Sequence, residues 1–223
     1  MWGITAQSVN TGLDQYDLDR KANALHSRLA SLGSMLVAYS GGVDSAFLAW
    51  TAHEVVGERM LAVLADSPSL PRRELKLAVE FAEHWQIPLK VIATEEFQRP
   101  EYVRNDASRC FHCKDELFTL MERERHALDF DHVAYGKNVD DEGDFRPGRR
   151  AAERHRVVSP LAEAGLTKRD IRALAQRAHL AVWDKPASAC LSSRIEYGRP
   201  VTREALAVIE AGEDALREPG SIF

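Results

Sequence analysis

Short apolar runs separated by amphipathic helical stripes organise this chain. Residues 34–39, 60–65, 89–93 and 132–135 are apolar, bounded by turn residues and too short for helices, so they predict buried strands. Between them, apolar side chains recur at three- and four-residue spacing. Leu18, Ala22, Leu25, Leu29 and Leu32 form one helical stripe ahead of the first strand. Phe47, Leu48, Thr51, Ala52 and Val55 form a second, and Leu75, Ala78, Val79, Ala82 and Trp85 a third. Leu117, Phe118 and Met121 mark a helix after the cysteine pair Cys110 and Cys113. Thr167-Lys168-Arg169-Asp170 is a capping box that opens a helix with Ile171, Leu174, Ala175 and Ala178 on its core side, and another helix follows Thr202. This alternation predicts an α/β fold, a doubly wound and mainly parallel sheet with helices on both faces and a C-terminal helical segment. Ligands of such sheets gather at the carboxyl ends of the strands.

The first strand runs directly into Ser40-Gly41-Gly42-Val43-Asp44-Ser45 and then into a helix. The two glycines can adopt positive φ and let backbone approach a ligand, while the serine hydroxyls and the free N–H groups of the helix start can bind an anion. The loop lacks the Gly-Lys-Ser/Thr ending of a Walker loop and the third glycine of a dinucleotide fingerprint, which disfavours both. It resembles the loop of the N-type ATP pyrophosphatases, which split ATP between the α and β phosphates and adenylate a substrate. That resemblance implies that Ser40, Gly41, Gly42, Val43 and Ser45 hold the departing pyrophosphate and that Asp44 helps to place Mg²⁺. Two further strand ends face the same predicted crevice. Asp66 and Ser67 stand where related enzymes seat adenine and ribose, and Tyr135-Gly136-Lys137-Asn138-Val139-Asp140-Asp141 follows the fourth strand. Asp140 and Asp141 are hard oxygen donors suited to Mg²⁺, or else an acidic loop capping the next turn.

Composition narrows the classes. A chain of 223 residues with 45% hydrophobic content can bury a core of its own, and a single domain with a short appendage is the expectation. The net charge of −5 gives no overall attraction to nucleic acid, and Arg146, Arg149, Arg150 and Arg154 are either a local basic patch or solvated surface. No apolar run approaches membrane-spanning length, and the opening Met1-Trp2-Gly3-Ile4-Thr5-Ala6-Gln7 lacks a basic region followed by an apolar one, so the expected location is the cytoplasm, without a membrane partner. Three cysteines, an odd number, argue against a disulfide framework and for metal ligands or reactive thiols.

Those cysteines lie in Arg109-Cys110-Phe111-His112-Cys113-Lys114 and in the 184–194 segment DKPASACLSSR around Cys190. Together SGGVDS, RCFHCK, GKNVDDEGDFRPG and KPASACLSSRIEYG, in this order, resemble the LarE family over residues 20–218. The family comprises ATP-dependent sulfur transferases that build the nickel-pincer nucleotide cofactor. The resemblance implies a PP-loop ATP pyrophosphatase domain of the adenine nucleotide alpha hydrolase type over residues 1–160, followed by a sulfur-transfer segment over 161–223. It also implies ATP with Mg²⁺, a pyridinium dicarboxylic acid mononucleotide substrate, a sulfide donor and a homo-oligomer. Members of the family usually carry a further strand-rich segment that contributes to substrate binding and assembly, so the segment read here is short for the family, and Pro219-Gly220 ends any helix in the tail.

The family draws its sulfur from one of two sources. Either a lone cysteine at the position of Cys190 surrenders its own sulfur, or three cysteines hold a [4Fe–4S] cluster whose open iron carries an extra sulfide. Cys110, Cys113 and Cys190 supply three thiolates, which suits the cluster form. Zinc, with His112 or another residue as a fourth ligand, and a Cys190 thiol mechanism with Cys110 and Cys113 as a structural or redox pair are the alternatives. Lys114, Arg109 and Arg194 either hold phosphate or lower thiol pKa values by their charge, and an ordinary surface ion pair is the equal alternative for Arg109. Trp183 either walls the nucleotide site or packs in the interior, and His53, His84 and His155 stand in no ligand spacing. The competing readings are a tRNA thiolase, which would carry a basic face, and a nonhydrolytic nucleotide sensor, which has little use for three cysteines near the crevice.

Overall fold

The computed structural model of the chain describes residues 10–143 and 147–217. Helix α1 (Asn10–Leu32) precedes strand β1 (Met35–Tyr39), followed by α2 (Val43–Val56), β2 (Met60–Asp66), α3 (Arg72–His84) and β3 (Leu89–Ala93). The short α4 (Pro100–Val103), then α5 (Arg109–Ala127), β4 (His132–Tyr135), α6 (Pro147–Arg154), the short α7 (Pro160–Glu163), α8 (Lys168–Arg177) and α9 (Arg203–Arg217) complete the order. All strand pairs are parallel, in the order β3-β2-β1-β4. Met35 of β1 stands level with Met60 on one side and His132 on the other, and Val158 extends the sheet by a bridge to Ala134. The chain therefore reverses its winding direction between β1 and β4, and the loop that leaves β1 opens at that switch point.

Side-chain alternation along the strands divides the interior into two layers. Met35, Val37 and Tyr39 of β1, with Met60, Ala62 and Leu64 of β2, enter a large core shared with α1, α2, α3 and α8. Leu36, Val63 and Val133 point the other way and pack on Phe118 and Met121 of α5 and Ala151 and Ala152 of α6. Helix α2 departs from the one-sided stripe read in the sequence: Val43, Ala46, Phe47, Leu48, Ala49, Thr51, Ala52 and Val56 are all buried, because the sheet, α1 and α8 enclose it. Helix α8 starts at the expected capping box, with Thr167 accepting from the Asp170 N–H at 3.2 Å and Asp170 accepting from the Thr167 N–H at 3.0 Å.

Cys110 and Cys113 lie inside the first two turns of α5, whereas periodicity alone starts the helix after them. Asp106 explains the earlier start: its Oδ1 accepts from the Ser108 N–H at 2.8 Å and its carbonyl from the Arg109 N–H at 3.0 Å, which turns the chain into the helix. Further along α5, Asp115 accepts from Arg99, Arg154 and His155, each at 3.0 Å, and Glu116 pairs with Arg99. His155 reaches Glu122 on its other side at 3.0 Å. A third, smaller core joins Tyr102, Leu191, Val201 and Leu206, with Cys113 packed against it.

The Asp115 network locks α5 between α4 and α6. Burial pushes the Asp115 carboxyl up, but the hydrogen bonds from His155 and Arg99 and the charge of Arg154 hold it below the ordinary 3.8. A carboxyl depressed on folding adds stability above its unfolded pKa and loses it as the pH falls through the lower folded value. Asp115→Asn is therefore expected to lower unfolding free energy by about 3 kcal/mol at neutral pH, because it strands buried partners. The difference from the parent should shrink below pH 4 in urea titrations.

Candidate active site

The loop after β1 is shaped by close backbone packing. Gly41 has φ +72°, and a Cβ there would sit 2.7 Å from the Ala78 Cβ of α3. A Cβ on Gly136, at the end of β4, would sit 2.9 Å from the Ser45 amide nitrogen, so strand end and helix start touch backbone to backbone. Ser45 braces the turn: its Oγ accepts from the Ser40 N–H and donates to the Gly42 carbonyl, both at 3.1 Å. Gly42 has no side chain to cap α2, which leaves the first-turn N–H groups for an anion. Ser40, Gly42, Val43, Asp44 and Ser45 line a cleft of about 840 Å³ together with Gly136, Asp140 and Asp141.

Two lysines from the C-terminal part of the chain reach into this loop. Lys168, at the start of α8, donates to Asp44 Oδ2 at 2.6 Å. Lys185 donates to the Gly41 carbonyl at 2.9 Å and pairs with Glu74 of α3 at 2.7 Å. Burial raises the Asp44 carboxyl above its ordinary value, with Lys168 opposing and Asp141 reinforcing the shift. The other carboxylate oxygen of Asp44, Oδ1, is buried and makes no hydrogen bond among the described residues. Such an oxygen, beside Asp140 and Asp141 in one cleft, fits Mg²⁺, which binds through one or two carboxylates plus phosphate oxygens. Asp140 and Asp141 are also loop braces, accepting from the Lys168 and Asn138 N–H groups at 2.8 and 3.1 Å.

The three thiols are not equivalent. Cys110 and Cys190 are exposed and line the cleft, and Cys190 Sγ lies 3.1 Å from Ser192 Oγ. Cys113 packs into the third core. Burial pushes its thiol up to about 12, the charges of Glu96, Cys190 and Cys110 add to the shift, and Lys114 opposes it. Among the described residues no three Cys, His, Asp or Glu side chains are gathered closely enough to hold a metal ion. In this arrangement the cysteines do not fit a preassembled [4Fe–4S] site, because Cys113 is committed to an apolar contact.

The NAD synthase family matches residues 19–135. Pyridinium-3,5-bisthiocarboxylic acid mononucleotide synthase of Lactiplantibacillus plantarum is 31% identical over 205 residues, 91% of this chain and 74% of that protein. The chain belongs to the LarE family of PP-loop proteins. An uncharacterized Synechocystis protein is 39% identical over 203 residues, 91% of this chain and 76% of its own length. Among solved structures, NMN synthetase from Francisella tularensis shares the fold with a TM-score of 0.62 at 16% identity, over 90% of this chain and 94% of that one. Membership of this LarE and NAD synthase-type group makes the protein an ATP-using enzyme.

Other residues singled out in the LarE-like motifs take varied positions. Lys114 lines the cleft, its Nζ 5.3 Å from the centre of the Tyr135 ring. Asp66 pairs with Arg72 at 2.5 Å, Ser67 is buried against Glu96, and Arg194 pairs with Glu213 of α9 at 2.8 Å; none of the three lines the cleft. The arginine group disperses: Arg149 lines the cleft and pairs with Glu153, Arg150 lies over Phe111, and Arg154 meets Asp115. Arg146, with the rest of 144–146, and the tail at 218–223 lie outside the described residues. Trp183 is partly exposed. Lys168, Lys185 and Glu74 carried no signal in the sequence beyond the capping box and the KPASAC segment, because their partners are far away along the chain.

Two outcomes follow from this geometry. Gly136→Ala must push the Ser45 backbone aside, and is expected to cost about 1–3 kcal/mol in thermal unfolding while weakening ATP binding. Alkylation at pH 8 with iodoacetamide, mapped by mass spectrometry, should label Cys110 and Cys190 and spare Cys113 until the protein is denatured.

Proposed function

We propose that this chain is an ATP-dependent sulfur transferase that converts a carboxylate of pyridinium-3,5-biscarboxylic acid mononucleotide to a thiocarboxylate in nickel-pincer cofactor biosynthesis. The observation that supports it most directly is that the pyrophosphate-type loop and two accessible thiols, Cys110 and Cys190, line one cleft. A substrate carboxylate oxygen attacks the α phosphorus of ATP, the bond to the β-phosphate oxygen breaks, and pyrophosphate leaves into the Ser40–Ser45 loop. The loop N–H groups, Lys168 and Lys185 stabilise the charge that develops there. Mg²⁺, when bound through Asp44, neutralises phosphate oxygens.

The acyl adenylate then faces the thiol end of the cleft. The Cys190 thiolate attacks the acyl carbon and AMP departs, leaving a thioester. Removal of the Cys190 Cα proton by a base breaks the Cβ–S bond, and the products are a thiocarboxylate and dehydroalanine at position 190. Residues 161–223 supply Cys190 to this half of the chemistry in our reading, besides contributing Lys168 and Lys185 to the phosphate loop. A [4Fe–4S] cluster on the three cysteines is the second source of sulfur. For that route Cys113 would have to leave its apolar contact and join Cys110 and Cys190.

Incubation with ATP, Mg²⁺ and the mononucleotide should release AMP and pyrophosphate in step with thiocarboxylate, and Asp44→Asn should slow this about a hundredfold. ADP and orthophosphate as products, or thiolation of bulk tRNA with none of the mononucleotide, overturn the reading. Cys190→Ala should abolish sulfur transfer yet retain ATP–pyrophosphate exchange. A mass loss of one H₂S per turnover identifies the sacrificial route, whereas anaerobic reconstitution that loads iron and sulfide and is lost on Cys113→Ala identifies the cluster.

A further inference from the structure

Cys190 and Cys110 come from segments 80 residues apart, and something must hold their two pieces of chain in register. Around Cys190 the chain has little regular structure beyond one short turn at 191–194. Besides the third core and the Val201 N–H bond to the Val103 carbonyl at 2.9 Å, its attachment to the α4–α5 region passes through two buried polar side chains. Asn105, fully buried, donates from Nδ2 to the carbonyls of Glu196 and Arg199, both at 2.9 Å, and its own carbonyl accepts from the Gly198 N–H at 3.0 Å. Arg109 is 4% exposed; one nitrogen of its guanidinium, Nη1, donates to Asn105 Oδ1 at 2.5 Å and to the Ser192 carbonyl at 2.7 Å. The ring of Tyr197 covers the guanidinium at 5.7 Å.

We propose that Asn105 and Arg109 form a positioning clasp for the sulfur-transfer half of the reaction, setting the Cys190 segment against the helix that carries Cys110. This rests on the sulfur-transfer reading above. The connection between the two thiols is short: Arg109 is the residue before Cys110, and it holds the carbonyl of Ser192, whose hydroxyl touches Cys190 Sγ. A buried guanidinium carries a large desolvation cost, and apolar packing of the same volume would stabilise the loop as well. What apolar packing lacks is direction. One hydrogen bond from Arg109 to the Ser192 carbonyl and three contacts from Asn105 reach this segment, and the second Arg109 bond ties the two side chains to each other, so the donors and acceptors match one register of residues 190–199. Asn105 also occupies φ +57°, a conformation that asparagine tolerates better than most residues and that needs no glycine.

A lysine at 109 keeps the charge but not the planar fork, and a glycine at 105 keeps the backbone conformation but loses the side chain. The test uses the full chain and dibromobimane, which bridges two neighbouring thiols, with peptide mapping to separate Cys110–Cys190 from Cys110–Cys113 products. The parent protein should give the Cys110–Cys190 bridge. Arg109→Lys and Asn105→Gly, with circular dichroism close to the parent, should bridge about tenfold more slowly, as for loss of one hydrogen bond to a charged group. In the same variants ATP–pyrophosphate exchange should be unchanged while thiocarboxylate formation falls about tenfold. Equal bridging in parent and both variants, absence of the Cys110–Cys190 product in the parent, or a parallel fall in both half-reactions overturns the clasp. Slower bridging in the variants together with a parent that thiolates no mononucleotide supports the clasp and rejects only the sulfur-transfer reading.

Discussion

The backbone contact between the end of β4 and the start of α2 is the constraint on which the site depends. Gly136 comes so close to the Ser45 amide that no side chain fits between them, and Gly41 is held as tightly against Ala78. These contacts turn the chain sharply out of β1 and leave the first N–H groups of α2 without a cap at the switch point of the sheet. Parallel pairing of β1 with both β2 and β4 supplies the rigidity that keeps the contact. The anion-binding character of the loop is thus a property of packing as much as of its glycines.

Around this fixed loop, the later part of the chain supplies the charge. Lys168 and Lys185 are spent on Asp44, Glu74 and the Gly41 carbonyl, so the loop already contains cations before a polyphosphate arrives. Each of these contacts spans more than a hundred residues of sequence, and each couples the position of α8 or of the Cys190 segment to the geometry of the loop. The carboxylate of Asp44 is the complement of this arrangement: one oxygen is committed to Lys168 and the other is buried without a hydrogen bond among the described residues. The thiol end is organised differently, by the third core and by the Asn105 and Arg109 donors, which leaves Cys113 packed against that core and Cys110 and Cys190 at the cleft.

Much of this was legible in the chain itself. Short apolar runs located the four strands and period-3.6 stripes the helices α1, α2, α3, α5 and α8, because burial leaves a local record in the order of residues. The SGGVDS loop and the cysteine segments were visible for the same reason, since chemistry that depends on neighbours a few residues apart is written contiguously. The one-turn helices α4 and α7 and the two-turn α6 escaped, as did the true start of α5, because elements this short and an Asp106 turn leave too little periodicity to read.

Which residues meet across the fold was decided only by tertiary structure. Lys168 read as part of a capping box, and Arg109 as a surface ion pair or a phosphate ligand. The fold turned the first into the partner of Asp44 and buried the second under the Cys190 loop. Likewise three similar cysteines became two exposed thiols and one half-buried thiol packed against the third core. Sequence determines what a side chain can do within a few residues of itself, whereas its desolvation and its partners are set by segments brought alongside from far away, and those two quantities decide whether a charge or a thiol becomes structure or chemistry.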